Sequence, residues 1–278
     1  MSKTKKFAAL FMAFALAFSM FALTGCATEE EPDTTTEEPM DEGSEPAVEE
    51  FVLVEEGKLI AGSETTFPPF ESMNGDIAEG FDVDLMEAIG EKLGLEVVIK
   101  TEIFDTLIPT LQAGGKFDVI ASGMTIKPER EKEIDFSDPY YDSNQSVVMK
   151  AGSTYNAPED LTGLRVGVQS GTTGQAWAEE TVPDVQIVPF KNATEAFAAA
   201  AAGNVDAIVN DLPVSTELLK QDARGLEVVA QIPTGEQYGF GVSKDNPALR
   251  DAINDALAEL RADGTYDEIF EKWFGIKP

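Results

Sequence analysis

The sequence has 278 residues, of which 43% are hydrophobic and 26% charged, enough for about two compact units. It contains one cysteine and no histidine, which excludes an intrachain disulfide, Ser-His-Asp or Cys-His catalysis, and imidazole metal ligands. The 51 acidic and 20 basic residues give a formal charge of −31. Because nucleic-acid binding needs a basic patch, this charge argues against a nucleic-acid-binding protein. We therefore expect an acidic, two-lobed protein with no obvious catalytic equipment, and we expect it to use no nucleic acid, metal or cofactor.

The first 25 residues have the pattern of a secretory signal peptide. Three lysines precede an apolar run, Phe7–Leu23, which is at the short end of the range for a membrane-spanning helix. The run ends in Leu-Thr-Gly-Cys, which resembles the lipobox of bacterial lipoproteins. The resemblance implies that Cys26 is lipidated and becomes the mature N-terminus, and a chance cysteine is the alternative.

An acidic segment, 26–56, follows the predicted signal peptide. Residues 27–56 include 13 acidic residues and no basic one, so the segment repels itself and buries little apolar surface. We predict an extended tether that holds the folded part, 57–278, at the extracytoplasmic face of the cell membrane.

Strands and helices alternate in the first half of the folded part. Apolar residues recur at every fourth position from Phe81 to Leu93 and predict a helix face. Gly114 and Gly115 are typical of a helix end. The predicted elements are a strand at 58–63, a helix at 81–93, a strand at 97–101, a helix at 107–113 and a strand at 117–122.

The same alternation returns in the second half. Asn192 with Glu195, and Thr265 with Glu268, have the spacing of a capping box. This alternation favours parallel sheets with helices on both faces. The predicted elements are strands at 165–169, 185–190, 205–209 and 226–231, a helix at 172–180, an alanine-rich helix ending at Gly203, and helices that begin near Pro247 and Thr265.

Three segments carry a resemblance to one family. They are GSETTFPPFESMNGDIAEGFDVDLMEAIGEKLG at 62–94, DTLIPTLQAGGKFDVIASGMTIKPEREKEIDFSDPYY at 105–141, and RVGVQSGTTGQAW at 165–177 with VDAIVNDLP behind it. Together they resemble the bacterial extracellular solute-binding proteins of family 3, the polar amino-acid receptors of ABC importers. The resemblance covers nearly all of 57–278.

The resemblance implies an α/β fold of two Rossmann-like lobes joined by a two-strand hinge, the type 2 periplasmic binding protein fold. It places lobe 1 at 57–143 and 241–278, and lobe 2 with the hinge strands at 144–240. An amino acid is bound between the lobes and passed to an ABC permease in the membrane. We expect a monomer.

By resemblance, one group of residues binds the α-carboxylate and α-ammonium of the ligand. Arg130 would bind the carboxylate with its guanidinium fork, although on its own it is a surface arginine in a charged helix. Asp211 would bind the ammonium, and its alternative role is a helix N-cap. The remaining members are the N–H donors at the helix start, Thr172 and Thr173, and the carbonyl and hydroxyl groups of Ser122, Gly123 and Thr125.

A second group would contact the ligand side chain. Phe67 and Phe104 match the aromatic walls of the family, although alone they would be core residues. Glu64 and Gln169 match positions at the side-chain tip. A carboxylate beside two aromatic faces suits a cation, so we rank arginine or lysine first and glutamine next; the alternative is that Glu64 only bonds locally.

Two other functions remain open at this stage. Some proteins with this resemblance are dehydratases of cyclic amino-acid precursors, and Glu64 would then be the acid. A sensor would need a membrane partner for its output. Arg130 and Asp211 together favour a binding protein, because they hold an amino acid without placing a reactive group over it.

Overall fold

Residues 51–278 are the part of the chain that the computed structural model describes. The predicted signal peptide, Cys26 and most of the predicted tether lie outside these residues. Within them, no helix is long and apolar enough to cross a bilayer.

The described residues form strands and helices that largely alternate along the chain. The strands are β1 (Lys58–Ser63), β2 (Ser72–Asn74), β3 (Ile77–Glu79), β4 (Glu96–Thr101), β5 (Val119–Ile120), β6 (Asp135–Phe136), β7 (Tyr141–Lys150), β8 (Arg165–Gln169), β9 (Gln186–Phe190), β10 (Ala207–Asp211), β11 (Leu226–Tyr238) and β12 (Gly241–Val242). The helices are α1 (Phe81–Leu93), α2 (Leu107–Ala113), α3 (Pro128–Glu131), α4 (Thr173–Thr181), α5 (Ala193–Ala201), α6 (Leu212–Gln221), α7 (Pro247–Asp263) and α8 (Thr265–Phe274).

Two five-stranded sheets form the centres of two lobes. The sheet of the first lobe has the order β4-β1-β5-β12-β6, and that of the second has the order β11-β7-β10-β8-β9. In the first sheet β12 runs antiparallel to both neighbours, and in the second β7 runs antiparallel to β10 and β11. The prediction of parallel sheets is therefore wrong for these strands, because the chain passes between the lobes through β7 and β11 and reverses direction there.

The long pair β7 and β11 crosses between the lobes. Tyr141 at the start of β7 pairs with Tyr238 at the end of β11, and Tyr238 also forms a bridge to Thr125 of the first lobe. The pairing register shifts between Ile232 and Glu236, which is typical of a bulge that redirects a side chain. The pair thus joins both lobes and passes directly by the space between them.

The predicted face of α1 packs into the core of the first lobe. Phe81, Leu85 and Ile89 are fully buried, and burial of each contributes about 1.5–3 kcal/mol. The ring of Phe70 lies 4.9 Å from that of Tyr141 and 5.1 Å from that of Tyr238. The hinge strands are therefore anchored in this aromatic core.

The predicted helix starts have mixed outcomes. Asn192 caps α5, where its side chain accepts a hydrogen bond from the backbone N–H of Glu195 at 2.9 Å. The capping box at Thr265 is wrong, because α8 begins at Thr265 itself and its N-cap is Gly264 in a left-handed conformation. Spacing alone could not show that a glycine turn precedes this helix.

The end of the predicted tether packs on the first lobe. Phe51 and Leu53 contact its core, and the backbone N–H of Val54 donates to Asp118 Oδ1 at 2.6 Å. Within residues 51–278, folded contacts are thus present from Phe51, six residues before the predicted start of the folded part.

Candidate functional site

A small cavity lies between the lobes, beside the carboxyl ends of the parallel strands, where ligands of open α/β sheets bind. Its volume is about 10 Å³, which is room for about one water molecule, so a free amino acid enters only when the lobes separate. All nine wall residues are among the eleven that the sequence predicts to bind ligand. The first lobe contributes Phe67, Phe104, Gly123, Thr125 and Arg130, and the second contributes Gln169, Thr172, Thr173 and Asp211.

Arg130 is a buried cation at this cavity. It lies in the one-turn helix α3, and 9% of its surface is exposed. Its Nη1 donates to the carbonyl of Thr125 at 2.8 Å, and its Nη2 donates across the cleft to the carbonyl of Gly171 at 3.0 Å. Among the described residues no carboxylate lies within 4.0 Å of it, unlike Arg165 and Arg250, which form ion pairs. Burial lowers its pKa, while the charges of Asp211 and Glu236 raise it, so an anion brought to this guanidinium would be stabilised.

The N-terminus of α4 faces the same cavity from the second lobe. Thr172 is its N-cap, and its hydroxyl accepts from the backbone N–H of Gln175 at 3.2 Å. The other first-turn N–H groups have no partner within the helix, and together with the helix dipole they favour an anion. A Cβ on Gly174 would lie 2.9 Å from the side-chain oxygen of Gln145, which explains the second glycine of the Gly-Thr-Thr-Gly turn.

Asp211 ends β10 and supplies a buried carboxylate to the cavity. Its Oδ1 accepts from Gln145 Nε2 at 2.8 Å, and its Oδ2 accepts from the hydroxyl of Tyr238. Asp211 stands at the N-cap position of α6, as the alternative predicted, but its side chain makes no capping bond and is directed to this network instead. Burial, with the nearby charge of Glu236, raises its pKa to about 7, and a neighbouring cation would favour its ionised form.

Two aromatic rings form the apolar part of the wall. Phe67 is almost fully buried, and the guanidinium of Arg130 lies 5.4 Å from the centre of the Phe104 ring. Gly123 has a φ of 49°, and a Cβ there would lie 3.1 Å from the ring of Phe67. Glycine at this position therefore lets the ring and the backbone approach closely.

Glu64 and Gln169 each carry a buried oxygen that has no hydrogen-bond partner among the described residues. Glu64 uses Oε1 to accept from the hydroxyl of Thr66 and leaves Oε2 unpaired. Gln169 donates Nε2 to the carbonyl of Lys191 at 3.3 Å and leaves Oε1 unpaired. Burial raises the pKa of Glu64 to about 7. Gln169 lines the cavity, whereas Glu64, although predicted to contact the ligand, is not among its wall residues. Unpaired acceptors of this kind are suited to a ligand group that donates hydrogen bonds.

Ser122 is not among the residues that line the cavity, and its hydroxyl is used inside the lobe. It donates to Glu71 Oε1 at 2.7 Å and accepts from the backbone N–H of Glu64 at 3.0 Å. Glu71 and Asp82 are fully buried, and Asp82 accepts from the N–H of Gly123 at 2.8 Å. The sequence pattern did not indicate this inner layer of acids, although each acid stands next to a core phenylalanine.

Three residues of the hinge strands were also missed. Gln145 of β7 is fully buried, and it donates to both Asp211 and Glu236. Glu236 and Tyr238 of β11 reach the same network. No motif signals them, because they join the site only when β7 and β11 pair.

The buried acids predict an unusual pH dependence of stability. Burial raises the pKa of Glu64, Asp82 and Asp211 to about 7 and that of Glu71 well above its ordinary value. Between about pH 4.5 and 7 the folded state therefore binds more protons than the unfolded chain, and raising the pH lowers the free energy of unfolding. Each group contributes up to about 1.4 kcal/mol per pH unit.

We expect denaturant unfolding of the unliganded protein to give a larger free energy at pH 5 than at pH 8. Asp82→Asn, which keeps the neutral shape, should reduce that difference. Equal free energies at the two pH values, or a larger one at pH 8, would contradict the raised pKa values.

Comparison with known proteins identifies relatives over most of the chain. The family described as bacterial extracellular solute-binding proteins, family 3, matches residues 59–276. ABC transporter arginine-binding protein 1 of Escherichia coli (strain K12) is 38% identical over 224 residues, which cover 78% of this chain and 90% of that protein. An ancestral arginine-binding protein bound to arginine is 44% identical with a TM-score of 0.76, covering 78% of this chain and 98% of that chain. The structure of such an ancestral protein bound to glutamine has the same identity and TM-score, and covers 79% and 99%.

Proposed function

The chain belongs to the bacterial extracellular solute-binding proteins of family 3, and we therefore propose that it binds one free L-amino acid between its lobes for an ABC importer. The two-lobed α/β architecture of a type 2 periplasmic binding protein, predicted from the sequence, is confirmed by the solved structures that it resembles. The protein acts as a receptor, so its affinity for the amino acid is the property to measure.

One arrangement carries the proposal: a buried guanidinium and a buried carboxylate reach one cavity from opposite lobes. Arg130 and Asp211 have the charges that the α-carboxylate and α-ammonium of a zwitterion require. The N-terminus of α4 adds N–H donors for the carboxylate. An amino acid in this place pairs both buried charges, whereas a ligand with only one charged end leaves the other charge unpaired.

The side-chain end of the site supports arginine or lysine first and glutamine next. The unpaired oxygens of Glu64 and Gln169 suit a guanidinium, an ammonium or an amide NH₂. A glutamate or aspartate ligand would place a second carboxylate beside Glu64, which costs several kcal/mol in a desolvated cleft. The relatives that bind arginine, and the ancestral protein that also binds glutamine, agree with this order.

A thermal-shift panel of the twenty amino acids tests the function. A ligand at a hundredfold excess over its Kd stabilises the protein by about 2.7 kcal/mol. We expect arginine, lysine or glutamine to give the largest shift. No shift with any of the twenty would refute the function.

We propose that the lobes are 57–143 with 241–278 and 144–240, and that they close on the ligand by bending of β7 and β11. The cavity of about 10 Å³ supports this, because an amino acid requires separated lobes to enter. We also propose that the protein is a monomer, since one chain supplies both sides of the site.

We propose further that a lipid on Cys26 anchors the protein outside the cytoplasmic membrane. The support is the Leu-Thr-Gly-Cys sequence after the apolar run. We expect Cys26→Ala to release the protein from membranes or leave it unprocessed, because stable anchoring requires acyl chains. Fractionation of cells measures this, with Thr34→Ala as control. A Cys26→Ala protein that is cleaved and membrane-bound like the wild type would refute lipidation.

A dehydratase acting on a cyclic amino-acid precursor is the alternative function. The raised pKa of Glu64 is the observation that favours it, because a general acid needs a pKa near the working pH. Incubation with cyclohexadienyl precursors separates the two functions. Product that forms with wild type and not with Glu64→Gln would establish catalysis.

A further inference from the structure

Glu236 lies on hinge strand β11, just after the register shift that follows Ile232. Its Oε2 accepts three hydrogen bonds: from Thr125 Oγ1 at 3.3 Å, from Gln145 Nε2 at 3.0 Å and from Thr173 Oγ1 at 3.1 Å. These donors come from the first lobe, from the other hinge strand and from the second lobe. One carboxylate of the hinge is therefore bonded to both sides of the cleft.

The hydroxyls of Thr125 and Thr173 each donate their proton to the Glu236 carboxylate. A hydroxyl has one proton to donate and two lone pairs. Thr125 and Thr173 donate to Glu236, and the Thr173 hydroxyl also accepts from Gln145 Nε2 at 3.2 Å. Each hydroxyl therefore keeps at least one lone pair and no proton for a ligand at the cavity. They can accept hydrogen bonds from an ammonium, whereas the α-carboxylate is left to Arg130 and to backbone N–H groups of α4.

A second acid at the Asp211 end of the cavity also favours a cation. The amide of Gln145 donates from one nitrogen both to Asp211 at 2.8 Å and to Glu236 at 3.0 Å, so this one group holds the two carboxylates near each other. The charge of Glu236 contributes to the raised pKa of Asp211. An ammonium placed beside both acids would remove this repulsion.

We propose that Glu236 is a positioning and specificity-determining residue for the α-ammonium of the ligand. By accepting the protons of the Thr125 and Thr173 hydroxyls, it leaves at least one lone pair of each available to the ligand. Its negative charge beside Asp211 also favours a cation there. The inference rests on the proposed function and adds to it a hinge residue that couples ligand recognition to the approach of the lobes.

Calorimetry of the wild type, Glu236→Gln and Glu236→Ala with L-arginine and L-glutamine tests this. Glu236→Gln keeps an acceptor oxygen and removes the charge, and Glu236→Ala removes both. We expect about tenfold weaker binding for Glu236→Gln and a larger loss for Glu236→Ala, as for a hydrogen-bonded charged group. Glu227→Gln, an exposed position on the same strand, is the matched control and should bind like wild type. Thermal unfolding shows whether each variant is folded.

Two half-ligands separate this role from a purely structural one. Agmatine has the amine and no carboxylate, and 5-guanidinopentanoate has the carboxylate and no amine; both are measured by displacement at millimolar concentration. We expect Glu236→Gln to weaken agmatine about as much as arginine, and to leave 5-guanidinopentanoate unchanged or tighter. Equal weakening of all three would overturn the inference.

The results separate a wrong role for Glu236 from a wrong proposal of amino-acid binding. If the wild type binds an amino acid and Glu236→Gln binds it equally or more tightly, the inference is wrong and the proposed function stands; tighter binding would make Glu236 a competitor of the ligand carboxylate. If neither the wild type nor the variants bind any of the twenty amino acids, the proposed function is wrong and the inference falls with it.

Discussion

Replacement of Arg130 by alanine is expected to abolish amino-acid binding at micromolar concentrations. The substitution leaves the ligand carboxylate in a desolvated cleft without its cation, which costs about 2–5 kcal/mol, or about 30- to 5,000-fold in Kd. Arg130 is 9% exposed and makes no ion pair within the described residues, so its charge is not neutralised by a neighbouring acid and is available to the ligand. Calorimetry with the amino acid that stabilises the wild type measures the loss.

Two further variants show whether the loss of binding is due to the guanidinium of Arg130. Arg130→Lys keeps the charge but loses the planar fork, and should recover part of the affinity. Arg250→Ala removes a half-exposed arginine that pairs with Asp135 and Asp251 on the same lobe, and should bind like wild type. Unchanged affinity of a folded Arg130→Ala protein would mean that the site lies elsewhere.

The second large effect is expected from Glu64→Gln, and it concerns which amino acid is bound. The variant replaces a buried carboxyl group whose Oε2 has no partner among the described residues. Arginine should bind about tenfold or more weakly, as expected for loss of a hydrogen bond to a charged group. Glutamine should change little, because an amide ligand bonds to an amide nearly as well as to a carboxylate.

Parallel titrations of wild type and Glu64→Gln with arginine and glutamine measure this change in preference. Glu133→Gln, an exposed residue of the same lobe, is the control. An arginine affinity that does not respond, or tight binding of glutamate by the wild type, would defeat the assignment of Glu64 to the side-chain end.

The sequence predicts local elements well where one short pattern determines them. The four-residue spacing from Phe81 to Leu93 gives α1 with the predicted limits. Asn192 accepts from the N–H of Glu195 as its spacing indicates. The two strands that lead to Gly123 and Asp211 are displaced by up to two residues, because chain direction and pairing, rather than residue type, set their ends.

The wall of the cavity was largely predictable because the family resemblance lies in contiguous motifs. Arg130 stands inside one such segment, 105–141, and Thr173 stands inside another, 165–177. Ser122 shows what a motif alone does not reveal: it stands in the matched segment, but its hydroxyl donates to the buried Glu71. Whether a polar group faces in or out depends on a partner that is 51 residues away.

The hinge part of the site could not be predicted, because its residues come together only through long-range pairing. Gln145 and Glu236 are 91 residues apart in the chain and lie on β7 and β11, which pair antiparallel. Neither strand carries a motif with a chemical meaning of its own. Only the folded pair shows that a carboxylate lies between the hydroxyls of Thr125 and Thr173.

Calorimetric titration of the purified protein with L-arginine, L-lysine, L-glutamine and L-glutamate shows directly whether it binds a cationic or amide amino acid. We expect one binding site per chain for at least one of the first three, with a Kd in the micromolar range or below, and no binding of glutamate under the same conditions. Absence of binding by all four, or glutamate as the tightest ligand, would contradict this expectation.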